Sequence, residues 1–222
     1  MVELQQVKTG FVANDFFLMA NDDPSGRPRL SERILAVGLA GALLCELILT
    51  RGVDIEKGTL VLTANRRPRS LLLAGLCSEV EAEAPRPVRD WLDYLSLEST
   101  ELVGRRLRAS GVAQFHEPRF KVPGRPGRWL PVDAQAASWP AVDVTRKIYN
   151  GAATAPDLVL FGLTRATGLD NPNLWEIRHL LTDPGLLEQT LSPLAVFNPV
   201  LVELVAHTAA AVGSAVASQR KG

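Results

Sequence analysis

The residues best suited to chemistry are arginines and lysines crowded into one stretch. Arg105, Arg106, Arg108, Arg119, Lys121, Arg125 and Arg128 fall within it, with Glu117 as its one acidic residue. Guanidinium groups make forked hydrogen bonds to phosphate. Phe115, Phe120, Val122 and Trp129 are interleaved with them, and apolar side chains at a loop tip can enter the headgroup zone of a bilayer, where tryptophan is favoured. Each basic residue near an anionic surface adds about 1 kcal/mol, so a cluster of this size can hold a protein reversibly on a membrane. This pattern marks Arg105, Arg106 and Arg108 as lipid-phosphate contacts, and Val122, Arg125, Arg128 and Trp129 as hairpin residues that meet the bilayer. Arg66, Arg67 and Arg69 form a smaller cluster. Two other readings of the segment stand beside this one. The arginines can be an ordinary solvated face with the aromatics packed under the hairpin. An arginine-rich helix followed by a basic-tipped hairpin is also the order of a winged-helix DNA-binding domain. A formal net charge of zero and flanking long apolar helices argue against nucleic acid.

Other chemistry finds little to work with. His116, His179 and His207 sit in no His-Glu-x-x-His frame and near no cysteine at ligand spacing, so a metal site is not expected. No Gly-x-Ser-x-Gly elbow and no phosphate loop ending Gly-Lys-Ser/Thr is present. Gly38 and Gly41 lie three apart in an apolar run and point to close helix packing. Asp22 and Asp23 belong to a turn. His207 falls in the last apolar helix and reads as a core histidine. Glu46 is a carboxylate in an otherwise apolar helix, which calls for an arginine or a helix end as its partner. Cys45 and Cys77 both lie in apolar stretches and read as buried thiols of a reducing compartment. The expectation is a protein that is not an enzyme and uses no cofactor.

The elements that must position these residues are mostly helical. Helices are expected over Phe11 to Met19, Ser31 to Arg51, Leu71 to Glu83, Pro87 to Leu97 and Ser99 to Ser110. More follow over Val142 to Tyr149, Asp157 to Ala166, Pro184 to Leu191 and Pro199 to Ser218. Pro87, Pro156, Pro184 and Pro199 stand where a first helical turn tolerates proline. Asp183 and Asn198 can cap, and Gly52, Gly111 and Gly168 follow helical runs as left-handed terminators. Thr59 to Thr63 reads as a short strand. Val112 to Phe115 and Arg128 to Val132 read as two strands around a tip of proline and glycine between Lys121 and Gly127. The longest apolar run, Ile34 to Leu49, is short of the ~20 residues of a membrane span and is interrupted by Glu46. The expected architecture is mainly α: one compact multi-helix domain over residues 1–222, built around a buried central helix, with one or two small β-hairpins and a hairpin insertion at about 112–132.

The order of these blocks resembles the Golgi phosphoprotein 3 family. The stretch from Gly38 to Gly52 (GLAGALLCELILTRG) is similar to the family's central helix, with its Gly-Leu-x-Gly start, its acid at Glu46 and its Arg-Gly close. The stretch from Pro85 to Ser96 (PRPVRDWLDYLS) is similar to a second block, with Val88, Trp91, Leu92 and Ser96 in place. A helix ending at Ser110 and Gly111, then the hairpin, then a closing helix over Pro199 to Val216 complete the match. The resemblance implies a mostly helical fold and a peripheral membrane protein. Its eukaryotic members bind phosphatidylinositol 4-phosphate in a basic pocket, insert a hairpin tip into the bilayer and hold glycosyltransferases in the Golgi. Ala40, Leu97 and Thr100 occupy places where those members carry arginines, and Leu30 and Ser31 lie where a pocket tryptophan is found. Arg105, Arg106 and Arg108 would then form a different anion site. The preponderance of arginine over lysine and the absence of a long basic arm fit a compact bacterial relative, on the cytoplasmic face of the plasma membrane. The expected function is non-enzymatic binding of phosphoinositide or other anionic phospholipid. A protein adaptor, holding a membrane-associated partner or a second copy of itself, is the alternative.

Overall fold

The computed structural model describes residues 9–23, 27–63, 68–83, 85–117 and 127–219. Its axis is helix α2 (Glu32–Leu49), whose residues are buried without a break from Val37 to Ile48. Ser31 precedes it and accepts a hydrogen bond from the Ile34 N–H, satisfying one of the first-turn donors. A helix that is apolar on every side has to be covered on every side. The cover consists of α1 (Val12–Ala20), α4 (Val88–Ser96), α5 (Ser99–Ala109), α8 (Ala155–Thr167) and α11 (Pro199–Gln219). Two of these approaches need a bare backbone. A methyl group on Gly38 would overlap Phe16 of α1 and Thr167 of α8, and one on Gly41 would overlap Thr208 of α11. The packing expected of the two glycines is the packing observed.

By length and composition the α11 segment Pro199–Ser218 could cross a membrane, with a mean hydropathy of 1.7, and 33% of it is buried. Its inner side covers α2, α4 and α8. Its outer side carries small residues such as Ala206, Ala209 and Gly213. His207 is half-buried on this helix with Nε2 3.5 Å from the Glu203 carboxylate one turn back, so it is not the core histidine the sequence pointed to.

Two small sheets flank the helices. Strands β1 (Val53–Glu56) and β2 (Thr59–Leu62) pair antiparallel, and β3 (Arg86–Pro87) adds to β2. The β1–β2 turn is made by Lys57 and Gly58, both with positive φ (51° and 74°), as a two-residue hairpin of matching twist requires. Strands β4 (Ala113–His116) and β5 (Arg128–Pro131) pair from Ala113↔Pro131 to His116↔Arg128. Helix α3 (Leu71–Ala82) lies between the sheet strands β2 and β3 in the chain. The short α6 (Ala134–Ala137), α7 (Trp139–Tyr149), a 3-10 turn (Pro172–Ile177), α9 (Arg178–Thr182) and α10 (Pro184–Phe197) complete the described elements.

The mainly helical fold with small hairpins is the one expected, and the differences have local causes. Strands β1 and β3, helices α6 and α9 and the 3-10 turn were not anticipated, all of them six residues or fewer. Helix α10 continues past Pro193, whose ring cannot donate to the Gln189 carbonyl; the Ser192 hydroxyl donates to that carbonyl instead, at 2.8 Å. The left-handed residue after α2 is Arg51 (φ 57°), not Gly52. Gly52 is needed for space, because a Cβ there would meet the Cys77 sulfur. Asp22 is more than a turn former. It is buried, pairs with Arg29, and accepts from Asn171 Nδ2 (2.9 Å) and Asn173 Nδ2 (3.2 Å), tying the end of α1 to the chain after α8.

Glu46 finds both partners the sequence asked for. Its two carboxylate oxygens accept from Arg106 Nη1 (2.7 Å) and Nη2 (3.0 Å), and Oε1 also accepts from the Ala13 N–H at the start of α1 (2.8 Å). Arg106 Nε donates to Asn14 Oδ1 (2.7 Å), and the guanidinium lies 4.4 Å over the Phe11 ring. One buried carboxylate therefore joins α1, α2 and α5. Removing one member of such a pair strands the other charge in the core, which costs about 3–5 kcal/mol. Arg106→Met should lower unfolding free energy in urea by about that amount, and adding Glu46→Leu should recover a large part. A double variant no more stable than the single one would show that the pair is not what holds these helices.

Candidate functional site

Arginine residues at α5 were expected to face a lipid together, and the fold separates them. Val103, Gly104 and Leu107 form the buried side of α5. Arg106 lies beside that side and is committed to Glu46. Arg105 and Arg108 are exposed on the opposite side, with the Arg105 side chain 70% accessible. Arg105 Nε donates to Glu101 Oε1 (2.6 Å) one turn back. Trp129 also turns inward. It is 6% exposed, its ring lies against Gly104, where a methyl group would overlap it, and its Nε1–H donates to Glu101 Oε2 (2.7 Å). The Trp129 bond, and then Arg105, hold the Glu101 carboxyl below its usual range. Phe115 packs against Trp129 with the rings tilted and their centres 5.1 Å apart. Trp129 is thus the anchor of the hairpin on α5, not a residue that reaches a bilayer.

What remains exposed is Arg105 and Arg108 on the outer side of α5, and His116 and Arg128, which pair at the end of the β4–β5 ladder nearest the hairpin tip. Val122 and Arg125, with Arg119, Phe120 and Lys121, lie outside the described residues, as do Arg66 and Arg67. Ala40 is buried in α2, while Leu97 is 80% exposed at the end of α4.

A second site has no counterpart among the expectations from sequence. A cavity of about 320 Å³ opens between the start of α1, the end of α2, α3, and the starts of α7 and α8. Phe11, Val12, Leu49, Leu73, Trp139 and Leu160 supply its apolar wall. Its polar wall is unusual in carrying four carboxyl groups, Asp15, Glu46, Asp143 and Asp157, and one lysine, Lys147. Lys147 Nζ bridges Asp143 (2.8 Å) and Asp157 (2.7 Å), and Arg146 adds a bond to Asp143 (2.6 Å). Asp157 also closes a capping box, accepting from the Thr154 N–H at 2.8 Å. Burial lowers the affinity of Lys147 for its proton, but Asp143 and Asp157 outweigh it and hold its pKa above the ordinary value. Asp143 shows the reverse balance: burial raises it, and the two cations bring it below.

Asp15 differs from the other three. Thr9 Oγ1 donates to it at 2.7 Å, and no cation comes within 4 Å of it among the described residues. Burial first, then the charges of Glu46 and Asp157, push its pKa from 3.8 up to about 6, against the opposing pull of Thr9 and Lys147. The signal in the sequence was an acid in the first turn of an apolar helix, which helix-dipole preference explains without a site. Among the described residues no group of three or more His, Cys, Asp or Glu is placed to hold a metal ion. His116, His179 and His207 are on separate elements, and Cys45 and Cys77 are both buried and free.

Comparison with known proteins gives one result. The family model described as Golgi phosphoprotein 3 (GPP34) matches residues 12–211, nearly the whole chain. Comparison with curated proteins gave no match.

The unpaired Asp15 has a consequence for stability. Its folded pKa lies above the unfolded value, so the native state binds the proton more tightly. Ionised Asp15 therefore destabilises the fold fully above pH of about 6, and the penalty fades as pH falls from there towards 3.8. Asp15→Asn should raise stability near neutral pH by up to about 3 kcal/mol, with the gain gone near pH of about 4. Thermal unfolding across that range checks it, and a variant less stable than wild type at neutral pH would contradict it.

Proposed function

The chain belongs to the Golgi phosphoprotein 3 family, and on that premise we propose that it is a non-enzymatic peripheral membrane protein that binds anionic phospholipid headgroups. The observation that carries this reading is the exposure of Arg105 and Arg108 on α5 and of Arg128 on the hairpin that Trp129 fixes to that helix. Arg105 and Arg108 are three apart on a helix and project to one side. Arg128 adds a further exposed guanidinium from β5. Guanidinium groups so placed can share phosphate oxygens from one or more headgroups. The tip residues Val122 and Arg125 extend the same basic and apolar character in the sequence. Arg106 and Trp129 take no part, since both are used inside the fold. In a bacterial cell the matching surface is the cytoplasmic face of the plasma membrane, where phosphoinositide is one candidate among several anionic lipids.

A weaker second reading rests on a different surface. Val196 and Phe197 end α10 with 74% and 87% of their area exposed, which favours a contact with protein, either a membrane-associated partner or a second copy. Phe197→Glu should then shift the mass measured by light scattering towards that of one chain. An unchanged mass would remove self-association through this corner.

Vesicle co-sedimentation tests the main reading. Vesicles of neutral lipid should not retain the protein, and vesicles with phosphatidylinositol 4-phosphate or another anionic lipid should. Raising salt should release it. The combined variant Arg105→Glu, Arg108→Glu and Arg128→Glu should weaken binding by at least about tenfold, given about 1 kcal/mol per basic residue. Binding unchanged by these substitutions would exclude this face.

A further inference from the structure

The cavity beside α1 is independent of the membrane surface and has the opposite electrostatic character. The charges around it can be added up group by group. Glu46 is neutralised by Arg106. Asp143 and Asp157 are balanced by Lys147 together with Arg146. Asp15 is left over: among the described residues its side chain is held by the Thr9 hydroxyl and by no cation within 4 Å. Among the described residues, the wall of this cavity thus carries one carboxyl group without a counter-ion. A carboxylate kept in such a place costs stability, and groups of that kind concentrate at functional sites.

The shape and chemistry select the ligand. The volume of about 320 Å³ falls at the lower end of small-molecule sites, which combine apolar walls with few polar anchors. An anion would be repelled by Asp15. A neutral molecule would leave Asp15 unpaired. A metal ion finds no group of three or more ligands among the described residues. We propose that this cavity binds a small organic amine in its ammonium form, with Asp15 as counter-ion and the Phe11 and Trp139 side chains, with Leu49 and Leu160, receiving its carbon body. Ammonium beside a carboxylate makes charge-assisted hydrogen bonds, and aromatic faces attract the same charge. Glu46 on α2, Asp157 on α8 and Asp143 on α7 carry the same sign as Asp15, while Lys147, with Arg106 on Glu46 and Arg146 on Asp143, opposes them. The shifted titration of Asp15 is in keeping with this balance, because a bound cation would favour the ionised carboxyl.

Titration calorimetry on the full chain tests the assignment with n-pentylammonium chloride and with 1-pentanol, its uncharged counterpart. The ammonium ion should bind saturably at neutral pH. Asp15→Asn should weaken that binding by at least about tenfold, the change expected when one charged partner of a desolvated pair is lost. Lowering pH to about 5, where Asp15 is mostly protonated, should weaken it in the wild type and have little effect in the variant. Pentanol binding should be weaker and indifferent to both changes. The variant is expected to be the more stable protein, so loss of binding would not reflect unfolding, and circular dichroism checks this directly. Absence of saturable binding to the wild type, or equal binding of ammonium and alcohol in both proteins, would overturn the proposal.

Discussion

A carboxylate in the middle of a helix that is buried on all sides can exist only if something carries a positive charge to it. Taking Glu46 out of water is costly, and the cost is offset here by a forked guanidinium contact plus a backbone N–H. That requirement sets much of the geometry around it. Arg106 has to come from α5, so α5 must cross α2 at this level. Ala13 has to present its N–H, so α1 must begin here, with its positive pole towards the carboxylate. Phe11 and Asn14 then complete the cover of the guanidinium. Apolar packing such as Gly38 against Phe16 and Thr167, or Gly41 against Thr208, tolerates substitutions of similar volume. The ion pair admits far fewer solutions, and it fixes which helices meet and at what register.

Much of the fold was legible because α2 announces itself. A run of apolar residues with helical capping on one side, interrupted by a single acid, has few interpretations other than a buried axis with a buried partner. Helices α3, α4, α5, α8 and α11 were visible for related reasons of periodicity and proline placement. The elements that went unseen are short, and their signals are tertiary. Strand β3 is two residues long and exists because β2 offers an edge. The Lys57-Gly58 turn uses a lysine with positive φ, a choice that local composition does not favour. Helix α10 crosses Pro193 because Ser192 supplies the hydrogen bond that proline cannot.

The site was legible only in part, and the reason lies within α5. Arg105, Arg106 and Arg108 look alike as a charge cluster, but a helix distributes them. Val103 and Leu107 face the core, and Arg106 follows Val103 by three and adjoins Leu107, which carries it to the inner edge. The sequence reading grouped Arg106 with Arg105 and Arg108 as a lipid contact and left the arginine partner of Glu46 unnamed, although this spacing distinguishes Arg106 from the other two. Trp129 shows the same lesson for an amphipathic side chain. Its ring needs Gly104 and its N–H needs Glu101, and both are available only once α5 and β5 meet. The cavity had no comparable trace, because its carboxyl groups come from three different helices and α2.

Glu46 and Asp15 lie near each other and share one cavity wall, yet the fold treats them differently. Glu46 is given two cationic bonds and a backbone donor. Asp15 is given one hydroxyl and is raised by the very charge of its neighbour. If the fold required only stability, an asparagine would accept the same Thr9 bond without the charge. An acid kept at that position therefore argues for a role that a neutral amide cannot fill. The exposed arginines Arg105, Arg108 and Arg128 stand on α5 and β5, whereas the carboxyl groups Asp15, Glu46, Asp143 and Asp157 line the cavity, so a formal net charge of zero does not mean an even distribution of charge. A surface suited to anionic headgroups and a cavity suited to a cation do not compete for the same ligands, and one chain can carry both.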